Sequence, residues 1–139
     1  MTTIAYRDGI IAYDSLITSG EVIIYNNYEK SIVCKGVRFF IAGALSNYDD
    51  VVSDWFDSKS KDLESSGFAL DCDELFEFGY DVKGMWKERV KLDGYCAIGS
   101  GYKFALTAMD CGATAGEAIK RASERCLYTG GNIRTFKIL

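Results

Sequence analysis

The turn signal Arg7-Asp8-Gly9 constrains the fold of this chain almost from its first residue. Asp-Gly is a strong hairpin-turn signal, and it lies here between two short apolar runs, residues 3–6 and 10–13. A hairpin at this point brings Asp14, which follows the second run, next to the N-terminal strand. The chain is therefore predicted to begin as a strand of an antiparallel sheet, with a carboxylate beside it.

Strand patterns continue through most of the sequence. Residues 22–25 and 31–34 are predicted to pair as a second hairpin around Asn26-Asn27. Gly43 is predicted to end the next strand at a bend, and residues 65–67 read as a polar link. The other predicted strands are residues 37–42, 74–80, 84–90, 94–98 and 132–139.

Three helices are predicted among these strands. The first runs from an N-cap at Ser46 or Asn47 to about Lys61, and the second covers residues 101–109. Thr114 and Glu117 form a capping box that opens the third. This order of elements predicts an α+β fold, a sandwich of two antiparallel sheets between helical layers.

Composition excludes several classes of protein. A chain of 139 residues with 48% apolar residues is predicted to be one domain, residues 1–139, with a real core. It has neither an 18-residue apolar run nor a signal-peptide pattern, which favours a soluble, cytoplasmic protein. The net charge of -4 and the dispersed basic residues disfavour nucleic acid as a ligand. Five cysteines without CxxC spacing indicate reduced, mostly buried thiols: Cys34, Cys72, Cys96, Cys111 and Cys126.

The absence of histidine narrows the chemistry further. Ser-His-Asp and Cys-His catalysis and His-containing zinc sites are all excluded, and the closely spaced cysteine pairs of an all-cysteine zinc site are missing. No metal or other cofactor is expected. A hydrolase built from this chain must therefore find its base elsewhere, and the N-terminal amine is the natural choice.

Thr2 is the candidate nucleophile. Removal of Met1 leaves a threonine whose own α-amine, with an ordinary pKa of about 7.7–8.0, accepts the hydroxyl proton at neutral pH. The alternative interpretation is structural, because β-branched residues commonly start an edge strand. The distinction depends on the other residues that accompany Thr2.

Five stretches, taken in order, carry a resemblance to a known family. They are TTIAYRDGIIAYDSLIT, YEKSIV, FFIAGALSNYDD, GYCAIGSGYKFAL and ERCLYTGGNI. Together they resemble the β-subunits of proteasomes, and most of all the HslV branch, across residues 2–50 and 93–135. Residues 51–92 match poorly. The stretches are weak singly but specific as an ordered set, and the resemblance implies the same α+β sandwich.

The resemblance implies a catalytic set. The family's nucleophilic threonine, hairpin aspartate, lysine, oxyanion glycine and Gly-Ser-Gly serine match Thr2, Asp14, Lys30, Gly43 and Ser100. In those roles Asp14 holds Lys30, whose charge favours the Thr2 alkoxide. The Gly43 amide donates to the oxyanion, and Ser100 helps relay the proton. Each residue also has an ordinary interpretation, as a strand-end carboxylate, a solvated lysine, a strand-ending glycine or a helix-capping serine.

The resemblance also implies a substrate pocket. Its positions are all apolar or aromatic here, which favours a large hydrophobic P1 side chain. An ordinary strand core explains the same pattern equally well. The pocket residues are Ile17, Tyr28, Ile32, Ile41 and Leu45.

The chain departs from the family in three places. The first hairpin is about four residues shorter, an even deletion that preserves the face of each side chain. Most of the second long helix is missing after Lys61. The aspartate that proteasomes place three residues before the last Ser/Thr is replaced by Cys126, as in the Cys-x-Tyr-Thr pattern of the HslV branch.

The sequence thus predicts an N-terminal threonine endopeptidase of the proteasome/HslV type. The resemblance implies a homo-oligomeric ring, a protein or peptide substrate, and an ATP-dependent unfoldase as a partner. Two alternatives stay open: a catalytically silent member of the fold that serves in assembly, and an N-terminal-nucleophile amidohydrolase of a small amide.

Overall fold

A computed structural model describes residues 2–138, and its contacts divide the chain into two compact units. The first unit combines the chain up to Lys30 with the chain from Lys91 onward, and the second is Ser31–Val90. The strands are β1 Thr3–Arg7, β2 Ile10–Tyr13, β3 Ile17–Ser19, β4 Val22–Tyr25, β5 Ser31–Cys34, β6 Val37–Gly43, β7 Ser65–Asp71, β8 Glu74–Asp81, β9 Gly84–Arg89, β10 Tyr95–Gly99 and β11 Arg134–Lys137. The α-helices are α1 Tyr48–Phe56, α2 Tyr102–Asp110 and α3 Ala115–Arg125.

The first unit is built on a four-stranded antiparallel sheet in the order β10-β1-β2-β11. Helices α2 and α3 pack on this sheet, and the alanines in the contact allow a close approach of helix to strand. The predicted hairpin at Asp8-Gly9 and the capping box of α3 are both confirmed. The buried cluster is Ala5, Ala12, Ala105, Met109, Ala115, Ala118, Ile119 and Ala122.

The second unit is a five-stranded antiparallel sheet in the order β5-β6-β7-β8-β9, with α1 packed on it. Trp55 of α1 is the central side chain, with edge-on ring contacts to Phe39, Phe76 and Phe78 at centroid distances of 5.9, 5.7 and 6.2 Å. The predicted pairing of residues 74–80 with 84–90 is confirmed. The predicted α+β class is also confirmed.

The predicted second hairpin is wrong. Gly20, at a φ of +57°, supplies a turn that pairs β4 back onto β3. Strand β5 instead pairs with β6 through the turn at Lys35-Gly36, where both residues have positive φ. Asn26-Asn27 therefore lies in the connection between two separate hairpins.

Three further boundaries differ from the prediction. Helix α1 ends at Phe56, well before Lys61, because the buried Asp54 carboxylate accepts hydrogen bonds from the backbone amides of Lys59 and Ser60 and turns the chain back. The predicted polar link at residues 65–67 is the start of β7, where Gly67 lies against the Phe78 ring. The last predicted strand is shorter than expected, and Leu139 lies outside the described residues.

The expectation of mostly buried thiols is wrong. All five cysteines are free, but Cys72 and Cys111 are exposed and the other three are half-buried. None of the helices in residues 2–138 is long and apolar enough to cross a membrane.

Candidate active site

The peptide unit that joins Thr2 to Thr3 is held on both sides. Its carbonyl oxygen, from Thr2, accepts a hydrogen bond from the backbone amide of Ser100 at 2.9 Å. Its nitrogen, from Thr3, donates to Asp14 Oδ1 at 3.2 Å. The predicted residues Thr2, Asp14 and Ser100 thus meet around one peptide bond in the first unit.

Glycine is required where β10 approaches this peptide. Gly99, which pairs with Thr3, has a φ of +100°, and a Cβ at this position would overlap the Thr2 carbonyl oxygen. The Gly-Ser-Gly pattern therefore has a local reason, because it lets the Ser100 amide turn toward Thr2. The helix α2 begins directly afterwards, at Tyr102.

The Asp14 carboxylate connects several parts of the site. The side chain is fully buried, Oδ1 accepts from Lys30 Nζ at 2.9 Å, and Oδ2 accepts from the Gly130 amide at 3.0 Å. Oδ1 therefore accepts hydrogen bonds from both Lys30 Nζ and Thr3 N. Thr3 N belongs to the peptide bond that follows the candidate nucleophile, so one carboxylate oxygen links the ammonium to that peptide bond. The predicted Asp14–Lys30 pair is formed in the structure.

Lys30 reaches this carboxylate from the end of the irregular segment after β4, and its side chain is only 1% exposed. Burial lowers the pKa of the Lys30 ammonium, and the charge and hydrogen bond of Asp14 oppose that effect without cancelling it. A buried ion pair is a costly arrangement for a chain to keep for stability alone. Its placement beside Thr2 is therefore the strongest functional signal in the fold.

Two hydroxyl groups of the site lack ordinary partners. Within residues 2–138, Thr2 Oγ1 and Ser100 Oγ are buried and have no hydrogen bond of normal geometry. Buried polar groups are nearly always satisfied in folded proteins, and exceptions concentrate where a ligand or a reaction uses them. The unused bonding capacity of these two hydroxyls suits a group that must attack or pass on a proton.

The sequence did not identify the support provided by Thr3 and Thr129. Both are buried, their hydroxyls lie 2.6 Å apart, and the Gly101 amide donates to Thr3 Oγ1 at 2.8 Å. The signal that marks Thr129 is its place in the Cys-x-Tyr-Thr pattern. Thr3 carries no such signal, because its side chain acts only through the tertiary fold.

Cys126 lies at the edge of this network. Burial raises the pKa of its thiol, but hydrogen bonding by Thr129, the Tyr128 amide and Ser100 outweighs burial and lowers the pKa overall. Ser100 Oγ influences the thiol without making a hydrogen bond of normal geometry within residues 2–138. The pKa of the Cys126 thiol thus depends on groups that belong to the network around Thr2 and Thr3.

Gly43, the predicted oxyanion residue, is the last residue of β6 in the second unit. Its φ of +145° requires glycine, and a Cβ at this position would lie only 2.5 Å from Ser65 Oγ. Of the predicted pocket residues, Ile41 is fully buried in the core of the second unit. The half-buried ones are Ile17, Tyr28, Ile32 and Leu45.

Solved structures share this fold. The chain is 19% identical to Thiobacillus denitrificans BPH in complex with epoxomicin, with a TM-score of 0.70 and coverage of 99% of this chain and 98% of that one. It is 18% identical to eukaryotic HslV from Trypanosoma brucei, with a TM-score of 0.68 and 99% coverage of both chains. No family model and no curated protein matches the sequence. At these identities the likeness establishes that the chain has the HslV/BPH fold.

Proposed function

We propose that this chain is an N-terminal threonine endopeptidase of the proteasome/HslV type. The observation that carries the proposal is the buried Asp14–Lys30 pair, at 2.9 Å, bound to the same peptide unit as a buried Thr2 whose hydroxyl has no partner in residues 2–138. The HslV/BPH fold supports it. So does the absence of histidine, which leaves the Thr2 amine as the natural base.

The proposed reaction uses five residues. With Met1 removed, the Thr2 amine takes the hydroxyl proton as Oγ1 attacks the scissile carbonyl, and the Gly43 amide stabilises the oxyanion. Collapse breaks the C–N bond, the proton goes to the leaving amine, and an ester on Thr2 remains. Water then attacks the ester and releases the acid. Lys30 favours the alkoxide by its charge, Asp14 holds Lys30, and Ser100 relays the proton.

We also propose the domain organisation, the assembly and the location that the sequence predicts. They are a single domain with two antiparallel sheets between helical layers, and a homo-oligomeric ring in the cytoplasm. An ATP-dependent unfoldase that delivers protein substrate is a further expectation from the resemblance. Met1, whose removal the reaction needs, lies outside the described residues.

Two other functions fit the same fold. A silent assembly protein keeps the scaffold without hydrolysis, and an amidohydrolase keeps the chemistry with a small amide. The combination of a buried ion pair and a buried hydroxyl without a partner in residues 2–138 favours a reactive site over a silent one, because a scaffold gains nothing from a buried unsatisfied hydroxyl. Substrate size separates the two reactive candidates.

The test of the proposed function is hydrolysis by processed protein. Intact mass first establishes that Met1 is absent, and a set of fluorogenic peptides is then offered with and without epoxomicin. Peptide cleavage that epoxomicin stops supports the proposal. Processed, folded protein that cleaves no peptide refutes it, and turnover of small amides in that sample supports the amidohydrolase.

Substrate preference is the next expected result. Matched peptides with Leu or Tyr at P1 should be cleaved faster than those with Glu or Arg, because a charged side chain in an apolar pocket loses hydration without gaining a partner. The kcat/KM values of the four peptides measure this. A clear preference for Glu or Arg shows that the pocket assignment is wrong, and the burial of Ile41 already favours a core role at that one position.

Self-association is expected because an open peptidase site endangers other proteins. Sedimentation of processed protein across micromolar concentrations should give a species several times heavier than one chain of 15.4 kDa. A monomer at all of these concentrations contradicts the ring and favours the small-amide alternative.

A further inference from the structure

The neighbouring side chains of Glu29 and Lys30 bind different partners. Lys30 reaches the buried Asp14, whereas the Glu29 side chain is 44% exposed and binds two residues of the sheet. Tyr13 donates its hydroxyl to Glu29 Oε1 at 2.5 Å, and Arg134 Nη1 lies 3.1 Å from Glu29 Oε2. Tyr13 belongs to β2 and Arg134 to β11, so Glu29 is tied to two adjacent strands.

Arg134 also binds a second point of the same segment. Its Nη2 donates to the carbonyl oxygen of Asn27 at 3.1 Å and to Asn27 Oδ1 at 2.8 Å. The guanidinium thus binds both Asn27 and Glu29, which are two residues apart in the segment. The planar guanidinium has several donors in a fixed arrangement that suits this double contact, and a lysine cannot reproduce it. We call Tyr13, Glu29 and Arg134 the clamp.

The segment that the clamp holds is irregular and open to solvent. Residues 26 and 27 are exposed and Tyr28 is half-buried, and the segment is neither helix nor strand. Its backbone is anchored at the Ser15 carbonyl, which accepts from the Tyr28 amide at 2.9 Å. Short polar segments of this kind order only when specific contacts offset the entropy that they lose.

We propose that the clamp positions the Lys30 side chain for catalysis, an inference that rests on the proposed function. It holds residues 26–29 against β2 and β11, so that the next side chain extends inward and its ammonium meets Asp14. In this arrangement Tyr13, Glu29 and Arg134 are positioning residues. They act through Lys30, and a small displacement of a catalytic charge is enough to slow a reaction about 100-fold.

The exposure of the Arg134–Glu29 ion pair separates this role from a purely structural one, and the buried Tyr13 ring keeps its packing in Tyr13→Phe. Arg134 is 31% exposed and Glu29 44%, and ion pairs so open to water contribute little to stability. Loss of the clamp should therefore leave the fold intact while Lys30 becomes loosely placed. The phenotype expected of a positioning residue is a lower kcat with KM and melting temperature nearly unchanged.

The experiment compares four variants of the full chain with the parent. Tyr13→Phe removes only the hydroxyl, Arg134→Gln removes the charge, and Arg134→Lys keeps the charge without the fork. The matched control is Arg121→Gln, which removes another exposed arginine pair, Arg121–Glu124 on α3, at 3.2 Å. Each variant is assayed for kcat and KM, for its melting temperature, and for acetylation of Lys30 relative to the 84% exposed Lys91 by peptide mass mapping.

We expect Tyr13→Phe and Arg134→Gln to lower kcat about tenfold with KM within about twofold, and to raise the relative acetylation of Lys30 several-fold. Arg134→Lys should lie between them and the parent, and Arg121→Gln should match the parent. Unchanged Lys30 acetylation in both clamp variants overturns the proposal. Raised acetylation with unchanged kcat overturns it as well, because Lys30 placement then does not limit the rate. A processed parent without peptidase activity refutes the proposed function instead, and the acetylation result still decides whether the clamp places Lys30.

Discussion

Replacing Thr2 by alanine is expected to lower peptide hydrolysis at least about 1,000-fold while leaving the protein as stable as before. The rate falls because the attacking oxygen is gone. Stability holds because Thr2 Oγ1 is buried without a hydrogen bond within residues 2–138, so the deletion of this unsatisfied group offsets the loss of the buried methyl group. Turnover of a fluorogenic peptide by processed protein and a thermal melt measure the two effects.

The neighbouring residue provides the matched control. Thr3→Val removes a hydroxyl that lies 2.6 Å from Thr129 Oγ1 and accepts from the Gly101 amide at 2.8 Å. It should cost about 1–3 kcal/mol of unfolding free energy, because two buried groups lose their partner. Adjacent threonines are thus expected to show opposite behaviour, and Thr2→Ser should retain turnover. Full activity in Thr2→Ala refutes Thr2 as the nucleophile.

Lys30→Met is expected to be nearly inactive and also less stable. The activity falls because the positive charge near the alkoxide is lost. The unfolding free energy should fall by about 3–5 kcal/mol, because Asp14 is left as an uncompensated buried charge. Since the variant loses stability too, rates must be compared per folded molecule at a temperature below its melting transition.

The double variant Asp14→Asn with Lys30→Met separates the two effects. Removing the buried charge together with its partner should recover part of the lost stability without recovering the rate. Restored activity in the double variant contradicts the role given to Lys30. A Lys30→Met protein whose rate per folded molecule equals that of the parent shows that the lysine is structural.

The pH dependence gives the same residue a second readout. Burial lowers the pKa of Lys30 in the folded protein, with Asp14 opposing, so the ammonium is lost on the acid side of its ordinary value of 10.5. Between the lowered and the ordinary pKa, the unfolded chain binds more protons, and the contribution of Lys30 to the unfolding free energy rises with pH. As the pH is raised between these two pKa values, activity is therefore expected to fall while the contribution of Lys30 to the unfolding free energy rises. If activity and this contribution to stability instead fall together over that pH range, the role assigned to Lys30 is contradicted.

Local sequence signals predicted the elements that depend on neighbouring residues. The turn at Asp8-Gly9 and the capping box of α3 were correct because each is fixed within a few residues. The second hairpin was wrong because Gly20 competes with Asn26-Asn27 for the turn, and only the pairing of β3 with β4 decides between them. The end of α1 at Phe56 depends on Asp54 capturing amides beyond the helix, which no helical pattern contains.

The candidate site shows the same division. The family resemblance implies that Asp14 and Lys30 pair, and the structure brings them together at 2.9 Å. The supporting contacts of Thr3, Thr129 and Gly130 were not predicted, since they join residues more than 100 positions apart. Long-range hydrogen bonds of this kind leave no periodicity in the sequence, so residue type and spacing could not indicate these contacts, although the Cys-x-Tyr-Thr pattern marks Thr129 itself.

Those contacts between distant residues have a consequence for biosynthesis. The Thr3–Thr129 and Asp14–Gly130 hydrogen bonds span 126 and 116 positions, so both partners of each bond must have been synthesised before the site closes. A nascent chain still short of residue 129 holds neither bond, and contacts of such sequence separation form late in folding. On the ribosome, the surroundings of the candidate nucleophile therefore stay unassembled until residues 129 and 130 have emerged, although Thr2 itself is among the first residues made.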